Sequence, residues 1–212
     1  MFQRTWTPAI YDLMETLTCR VRLLSLSHIH EGWQSQFGSS KMVVKAVRQL
    51  GGAGMIVGDV WTVQASPIEQ HPLASWMPQQ APPDFDRIAE IVSSRWNERC
   101  EPTPVVAASH HAARLFGSSA GGLPPVNHRN HDLLLSAVYL RYRTTQPKLA
   151  CTWLGEDAVS MAERGVKNPD AYLFDESGSV TRVIESAGRY SLKQLESFHQ
   201  HCQSADLPYE LW

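Results

Sequence analysis

The first fifty residues carry apolar side chains with the spacing of amphipathic helices. Between residues 8 and 26 these side chains recur at three- and four-residue steps, and Pro8 suits a first helical turn. A second, short helix is expected over residues 27–33, where Ser27 can serve as the N-cap. A third helix is expected over residues 39–50, because its apolar side chains fall on one face.

A glycine-rich stretch ends the third helix, and two short β-strands are expected after it. The strands are Met55–Val57 and Val60–Val63, and Gly58-Asp59 between them has the composition of a tight hairpin turn. Trp61 is placed to support such a hairpin. Three helices followed by a hairpin is the element order of a winged helix-turn-helix. The alternative is an ordinary small helical domain that packs against the rest of the chain.

The polar and basic side chains of the third helix lie largely off its apolar stripe, where they could meet phosphates and base edges in a DNA major groove. The candidate DNA-binding residues are Ser39, Ser40, Lys41, Lys45 and Arg48. Residues 1–65 hold six Lys or Arg and four Asp or Glu, a net charge of only +2. We therefore expect modest affinity for double-stranded DNA, a strong dependence on salt, and help from a homodimer.

The central part of the chain has the composition of a connector. Five prolines occur between residues 66 and 84, which is typical of a linker or an extended arm. Residues 84–99 have a helical pattern. These patterns divide the chain into a winged-helix domain at residues 1–66, a linker with connecting helices at residues 67–127, and an α/β domain at residues 128–212.

The C-terminal part alternates between helical and strand periodicity. The expected helices cover residues 131–143 and 191–202, and the expected strands cover residues 149–154, 171–175, 181–186 and 207–212. Their order is α-β-β-β-α-β, which predicts a sheet packed between helices. The whole chain is therefore expected to be an α+β protein.

Composition narrows the class of function. The net charge is −2, so any DNA-binding surface must be a local patch. No apolar run approaches the ~18–20 residues of a membrane span, and the N-terminus lacks a secretory pattern, so we expect a cytoplasmic protein without membrane contact. The four cysteines are scattered, which favours reduced thiols over a zinc site. Nucleotide-binding glycine motifs and HExxH are absent, which argues against NTPases and dinucleotide enzymes. Residues 117–121 have the letters of GxSxG, but this glycine-rich run is followed by prolines, which favours a flexible loop over the nucleophile elbow of a serine hydrolase.

Short motifs in the C-terminal part resemble the PD-(D/E)xK nuclease-like superfamily. Pro169-Asp170 immediately precedes an expected strand, Glu185 ends the strand paired with it, and His131-Asp132 opens the preceding helix. Together with its N-terminal segment, the chain resembles the replication-relaxation family of plasmid and mobile-element proteins. The resemblance implies a role in the maintenance, transfer or regulation of a mobile element.

The same resemblance implies a metal site. Adjacent strands would bring Asp170 and Glu185 to one edge of the sheet, where their oxygens could hold Mg²⁺ for phosphodiester cleavage. In such nucleases a lysine follows two residues after the second acid, but here that position is Ala187. Lys193 on the next helix could supply a relocated cation.

We therefore expect a non-catalytic nuclease-like domain with no certain cofactor, in a protein that binds double-stranded DNA and has a homodimer or protein partner. The first alternative is a Mg²⁺-dependent endonuclease that uses Asp170, Glu185 and Lys193. The second is a protein–protein adaptor whose basic helix has lost its DNA role. An unrelated α/β fold is also open.

Each acid also has an ordinary structural interpretation. Asp170 could be a turn residue after proline. A buried Glu185 would be costly without a partner, for which Arg182 and Arg189 are the nearby cations. The acid that opens the helix suits the helix dipole, and the histidine before it is expected to order the adjacent loop.

Overall fold

The described part of the chain is a mixed α+β structure with two β-sheets. The computed structural model describes residues 6–64, 71–95, 99–119, 121–159 and 168–212. The helices are α1 (Pro8–Glu15), α2 (Leu26–Phe37), α3 (Ser40–Gly52), α4 (Phe85–Ser94), α5 (His110–Leu115), α6 (Arg129–Thr145), α7 (Pro147–Thr152) and α8 (Leu192–Ser204). The strands are β1 (Leu23–Ser25), β2 (Ile56–Gln64), β3 (Ala74–Trp76), β4 (Cys100–Ala108), β5 (Trp153–Gly155), β6 (Ala171–Phe174), β7 (Val180–Glu185) and β8 (Tyr209–Leu211).

The first sheet belongs with the N-terminal helices. Its strand order is β1-β4-β2, and both pairings are antiparallel. The chain passes through α1, β1, α2, α3 and β2 before β4 completes the sheet. The three helices pack through fully buried side chains such as Leu13, Trp33 and Val43, which belong to one hydrophobic cluster.

The first two helices differ from the sequence-based expectation. The helix expected over residues 8–26 ends early, because α1 gives way to a π-helical turn at Thr16–Arg20 and then to β1. All three residues of β1 are buried, so this segment pairs in the sheet instead of continuing an amphipathic helix. α2 starts before Ser27 because Ser25 is its N-cap: the Ser25 hydroxyl accepts the N–H of His28 at 3.1 Å.

The expected hairpin at Gly58-Asp59 is wrong, because β2 runs straight through both residues. The partner of β2 is β4, which returns only after residues 65–99, and the register pairs Gly58 with Val106. A close approach, not a turn, favours glycine here. A Cβ on Gly58 would lie 3.2 Å from the carbonyl oxygen of Val105.

The segment expected to be a linker contributes to both sheets. β4 pairs with β1 and β2, whereas β3 pairs with β8 in the second sheet. Trp76 on β3 and Ile88 and Val92 on α4 are buried in a cluster with residues of α8. Burial of these apolar side chains explains why the segment is held against the C-terminal part. Residues 66–70 of the expected linker lie outside the described residues.

The second sheet contains the expected α-β-β-β-α-β order as α6, β5, β6, β7, α8 and β8, with α7 inserted. Its strand order is β3-β8-β7-β6-β5; β7 and β8 are parallel, and the other pairs are antiparallel. The strand expected over residues 149–154 is wrong in its first part. Pro147 opens the short helix α7, and the strand begins only at Trp153.

Helix α6 is the central helix of the fold. Its side chains from Leu134 to Leu140 are all buried, as expected for a helix enclosed on all sides. Val138 and Tyr139 share one hydrophobic cluster with Trp33 of α2 and Trp153 of β5, so α6 joins the two halves of the chain. Among the described residues, no helix is long and apolar enough to cross a membrane.

Candidate functional site

The helix predicted to contact DNA is present, and its basic side chains lie on one exposed face. Val43, Ala46 and Leu50 of α3 are buried against the core. Lys41, Lys45 and Arg48 are all exposed. Their spacings of four and three residues place them one above another along the helix. Since α3 contains no acidic residue, the three cations form an uninterrupted basic stripe.

The two predicted serines at the start of α3 have different roles. Ser39 is the N-cap: its side chain accepts the N–H of Met42 at 3.4 Å, and the residue is only partly exposed. Ser40 is exposed, and its hydroxyl donates to Oε1 of Gln34 at 3.1 Å. Ser39 is therefore committed to starting the helix, whereas Ser40 lies on the surface beside the basic stripe.

The antiparallel ribbon of β2 and β4 is braced by Trp61, as the sequence suggested for a hairpin. Trp61 is 1% exposed, and its indole N–H donates to Oδ2 of Asp59 at 2.9 Å. The guanidinium of Arg129, from the first turn of α6, lies 4.3 Å from the centroid of the Trp61 ring. A cation over an aromatic face is an attractive contact, so α6 and the ribbon hold each other in place.

The two predicted acids, Asp170 and Glu185, meet at one edge of the second sheet. The pairing of Ala171 with Ile184 places Asp170 just before β6 and Glu185 at the end of β7. The N–H of Asp170 donates to Oε2 of Glu185 at 3.2 Å, and the N–H of Ser186 donates to Oδ2 of Asp170 at 2.7 Å. Asp170 is 5% exposed and Glu185 is fully buried.

His131 is a member of this acidic site that the sequence interpretation placed in a loop-ordering role. Its Nε2 lies 3.0 Å from Oδ2 of Asp170, and its Nδ1 lies 3.0 Å from Oδ1 of Asp132. Burial alone would lower the pKa of His131, but the charge of Asp170 and the hydrogen bonds to both acids outweigh it and raise the pKa to about 10. The imidazole therefore carries a positive charge at neutral pH.

Asp132 lies at the start of a helix, but its side chain is also buried in the acidic site. Although it lies in the first turn of α6, where the dipole favours it, its side chain is 2% exposed. Its Oδ2 is buried and has no hydrogen-bond partner among the described residues. Such a carboxylate needs a nearby cation, and His131 supplies one. The adjacent His-Asp pair was the sequence signal for this arrangement.

A second ion network lies beside the first. Arg22 contacts Asp157 through Nε at 2.6 Å and Glu156 through Nη2 at 2.9 Å. Burial raises the pKa of Glu156 despite the opposing charge of Arg22, and the nearby Asp170 raises it further. His131 and Arg22 therefore both place positive charge beside the acidic site.

In the nucleases that the sequence resembles, a lysine lies two residues after the second acid. At that position in this protein, a charged side chain would be buried among apolar residues. Ala187 is fully buried and belongs to the hydrophobic cluster around Trp76. Lys193 is exposed on the first turn of α8, and its neighbour Gln194, not Lys193, lines the pocket beside the acids. Arg182, considered as a partner for Glu185, instead forms an ion pair with Glu210.

The residues at this edge do not fit the Mg²⁺ site that the resemblance implies. Oδ2 of Asp170 is already engaged by His131 and Ser186, and Oε2 of Glu185 by the N–H of Asp170. The hydroxyl of Tyr190 donates to Oε1 of Glu185. Within the described ranges, no three His, Cys, Asp or Glu side chains converge as metal ligands.

A pocket of about 760 Å³ opens beside the acids. His131 and Asp170 form part of its wall, together with His128, Arg189 and Tyr190. His131 is accordingly reachable from solvent, with 24% of its side chain exposed.

Comparisons with known protein families, curated proteins and solved structures give no match to this chain.

Proposed function

We propose that this protein binds double-stranded DNA through α3, with its C-terminal nuclease-like part serving a non-catalytic role. The observation that carries the proposal is the basic stripe of Lys41, Lys45 and Arg48, exposed on a helix without acidic residues. Exposed cations in a line along one helix suit the phosphates and base edges of a major groove.

The element order around α3 supports a winged helix-turn-helix. In this assignment α2 and α3 are the helix-turn-helix, and β2 and β4 form the wing. Gly38 between the two helices has φ of +84°, the left-handed conformation that lets the chain leave α2 and turn into α3. Residues 65–99 are then an insertion within the wing.

The C-terminal part supports DNA binding without cleavage. Its α-β-β-β-α-β order and the meeting of Asp170 with Glu185 suit a PD-(D/E)xK nuclease-like core. The buried Ala187 and the exposed Lys193 suit a core that has lost its chemistry. Such a core could add backbone contacts, a homodimer interface or a surface for a protein partner. A role in mobile-element maintenance, transfer or regulation rests on the family resemblance alone.

The exposure of the basic stripe favours DNA over the adaptor alternative. An adaptor that had lost its DNA role would be expected to have these cations buried or dispersed. None of the ion pairs between described residues involves Lys41, Lys45 or Arg48. Their charges are therefore available to an anionic partner.

The test compares duplex binding by two charge-matched variants. Lys45→Ala/Arg48→Ala removes one lysine and one arginine from α3, and Arg87→Ala/Lys148→Ala removes the same two side-chain types from exposed positions on α4 and α7. We expect the α3 variant to bind a labelled duplex at least about tenfold more weakly at low salt. Its log K against log salt slope should also be shallower by about two.

Fluorescence anisotropy across a salt series measures both quantities, and the control variant should retain nearly all of the affinity. Equal affinity of the two variants would remove α3 from DNA recognition. Absence of duplex binding by the unmodified chain at low salt would favour the adaptor.

A further inference from the structure

The acidic edge of the second sheet poses an electrostatic problem that the fold has to solve. Asp132, Asp170 and Glu185 are each at most 5% exposed. Buried carboxylates are costly unless hydrogen bonds and opposite charge compensate them. In the metal-dependent nucleases that this core resembles, the compensating charge comes from a divalent ion, but the residues here do not fit that ion.

We propose that His131 is a built-in cation that takes the place of the divalent metal at this acidic edge. Its ring stands between Asp132 and Asp170, with a carboxylate oxygen 3.0 Å from each nitrogen. The ring thereby fills the space between the two acids and uses oxygens that a metal would need. This inference concerns the acidic site alone and does not depend on DNA binding by α3.

The positions of the two ring nitrogens suit a charged histidine. A neutral imidazole has one N–H donor and one bare nitrogen that only accepts hydrogen bonds. Each ring nitrogen faces a carboxylate oxygen, of Asp132 or of Asp170, and a carboxylate only accepts hydrogen bonds, so a bare nitrogen facing either one would have no donor. Protonation of both nitrogens gives each carboxylate a donor.

The neighbouring contacts help His131 to compensate the acids in place of a metal ion. The backbone N–H of Ser186 donates to the same Asp170 oxygen as His131, at 2.7 Å. Arg22 holds the adjacent Glu156 and Asp157. With these partners, His131 ties α6 to β6 and β7 without any ion taken from solution, so the folded protein should be indifferent to divalent metals.

The experiment follows thermal unfolding of the full chain by circular dichroism at neutral pH, first in EDTA and then in MnCl₂. The unmodified protein should unfold at the same temperature in both. His131→Gln keeps a polar side chain but removes the charge, and it should lower the midpoint by an amount on the order of 10 °C. The control is His128→Gln, because His128 lines the same pocket with its ring centroid 6.3 Å from that of His131.

The control variant should unfold within a few degrees of the unmodified protein. Free imidazole should raise the midpoint of His131→Ala, whose cavity opens to the pocket, and leave the midpoint of His128→Ala unchanged. Equal midpoints for His131→Gln and His128→Gln, or stabilisation of the unmodified chain by Mn²⁺, would overturn the proposal.

If the His131 variants do not fold, calorimetric titration of the unmodified protein with MnCl₂ decides the question. Saturable Mn²⁺ binding that is lost in Asp170→Asn would mean that the site still takes a metal. No heat of binding would support the built-in cation.

Discussion

The α3 surface and the acidic edge of the second sheet are both dense in charge, yet they are built in opposite ways. On α3, three cations are exposed to solvent, and the helix contains no acidic residue that could pair with them. At the acidic edge, the carboxylates are buried and are contacted by His131 and backbone N–H groups, although Oδ2 of Asp132 has no hydrogen-bond partner among the described residues. Charge left exposed is available for a partner, whereas charge compensated inside the fold acts mainly on stability.

The largest expected effect is on the stability of the acidic edge. Asp170→Asn removes one carboxylate from the buried pair with His131, which should lower the free energy of unfolding by about 3–5 kcal/mol. Asp86→Asn, at an exposed position in the first turn of α4, should cost less than about 0.5 kcal/mol. Urea unfolding of both variants measures the difference. Equal stabilities would mean that the acidic edge is not compensated internally.

A smaller effect should appear as pH rises. The folded-state pKa of His131 lies at about 10, above its ordinary value of 6.5, so the imidazolium stabilises the folded state fully below pH 6.5. That stabilisation should decline as pH rises from 6.5 and be lost above about 10. The difference in unfolding free energy between the unmodified chain and His131→Gln should therefore shrink over this range. A constant difference would contradict the charged pair.

The smallest expected effect separates the two serines of α3. Ser39→Ala removes the N-cap of the helix and should cost about 1 kcal/mol of stability. Ser40→Ala removes a hydroxyl that only contacts Gln34 on the surface, and it should cost a few tenths of a kcal/mol of stability at most. Chemical denaturation of both variants compares them. A larger loss for Ser40→Ala would reverse the assignment of the cap.

Local periodicity predicted the elements whose partners are near in sequence. The third helix and the strands at 171–175 and 181–186 are confirmed within about two residues, which is the usual uncertainty of element ends. β1 was missed because a three-residue buried strand has too few positions to show a period. The pairing of β2 with β4 was missed because 35 residues separate the strands. In addition, Gly58 allows a close approach to the backbone of β4, but in the sequence it has the appearance of a turn residue.

The acidic site was predictable only in part for a related reason. Adjacent strands necessarily bring their ends together, so the meeting of Asp170 and Glu185 followed from strand order. The contact of His131 with Asp170 depends on how α6 packs across the sheet, and helical periodicity does not specify that packing. The proposed DNA role of Lys41, Lys45 and Arg48 remains a prediction from exposure and spacing.

The most direct measurement is a gel of supercoiled plasmid with the protein at low salt, in the presence of Mg²⁺ or Mn²⁺. An exposed basic helix joined to an internally compensated acidic edge predicts plasmid that is retarded but intact. Nicked or linear plasmid that no longer forms with Asp170→Ala would contradict a non-catalytic acidic edge. Plasmid that neither shifts nor breaks would contradict DNA binding by α3.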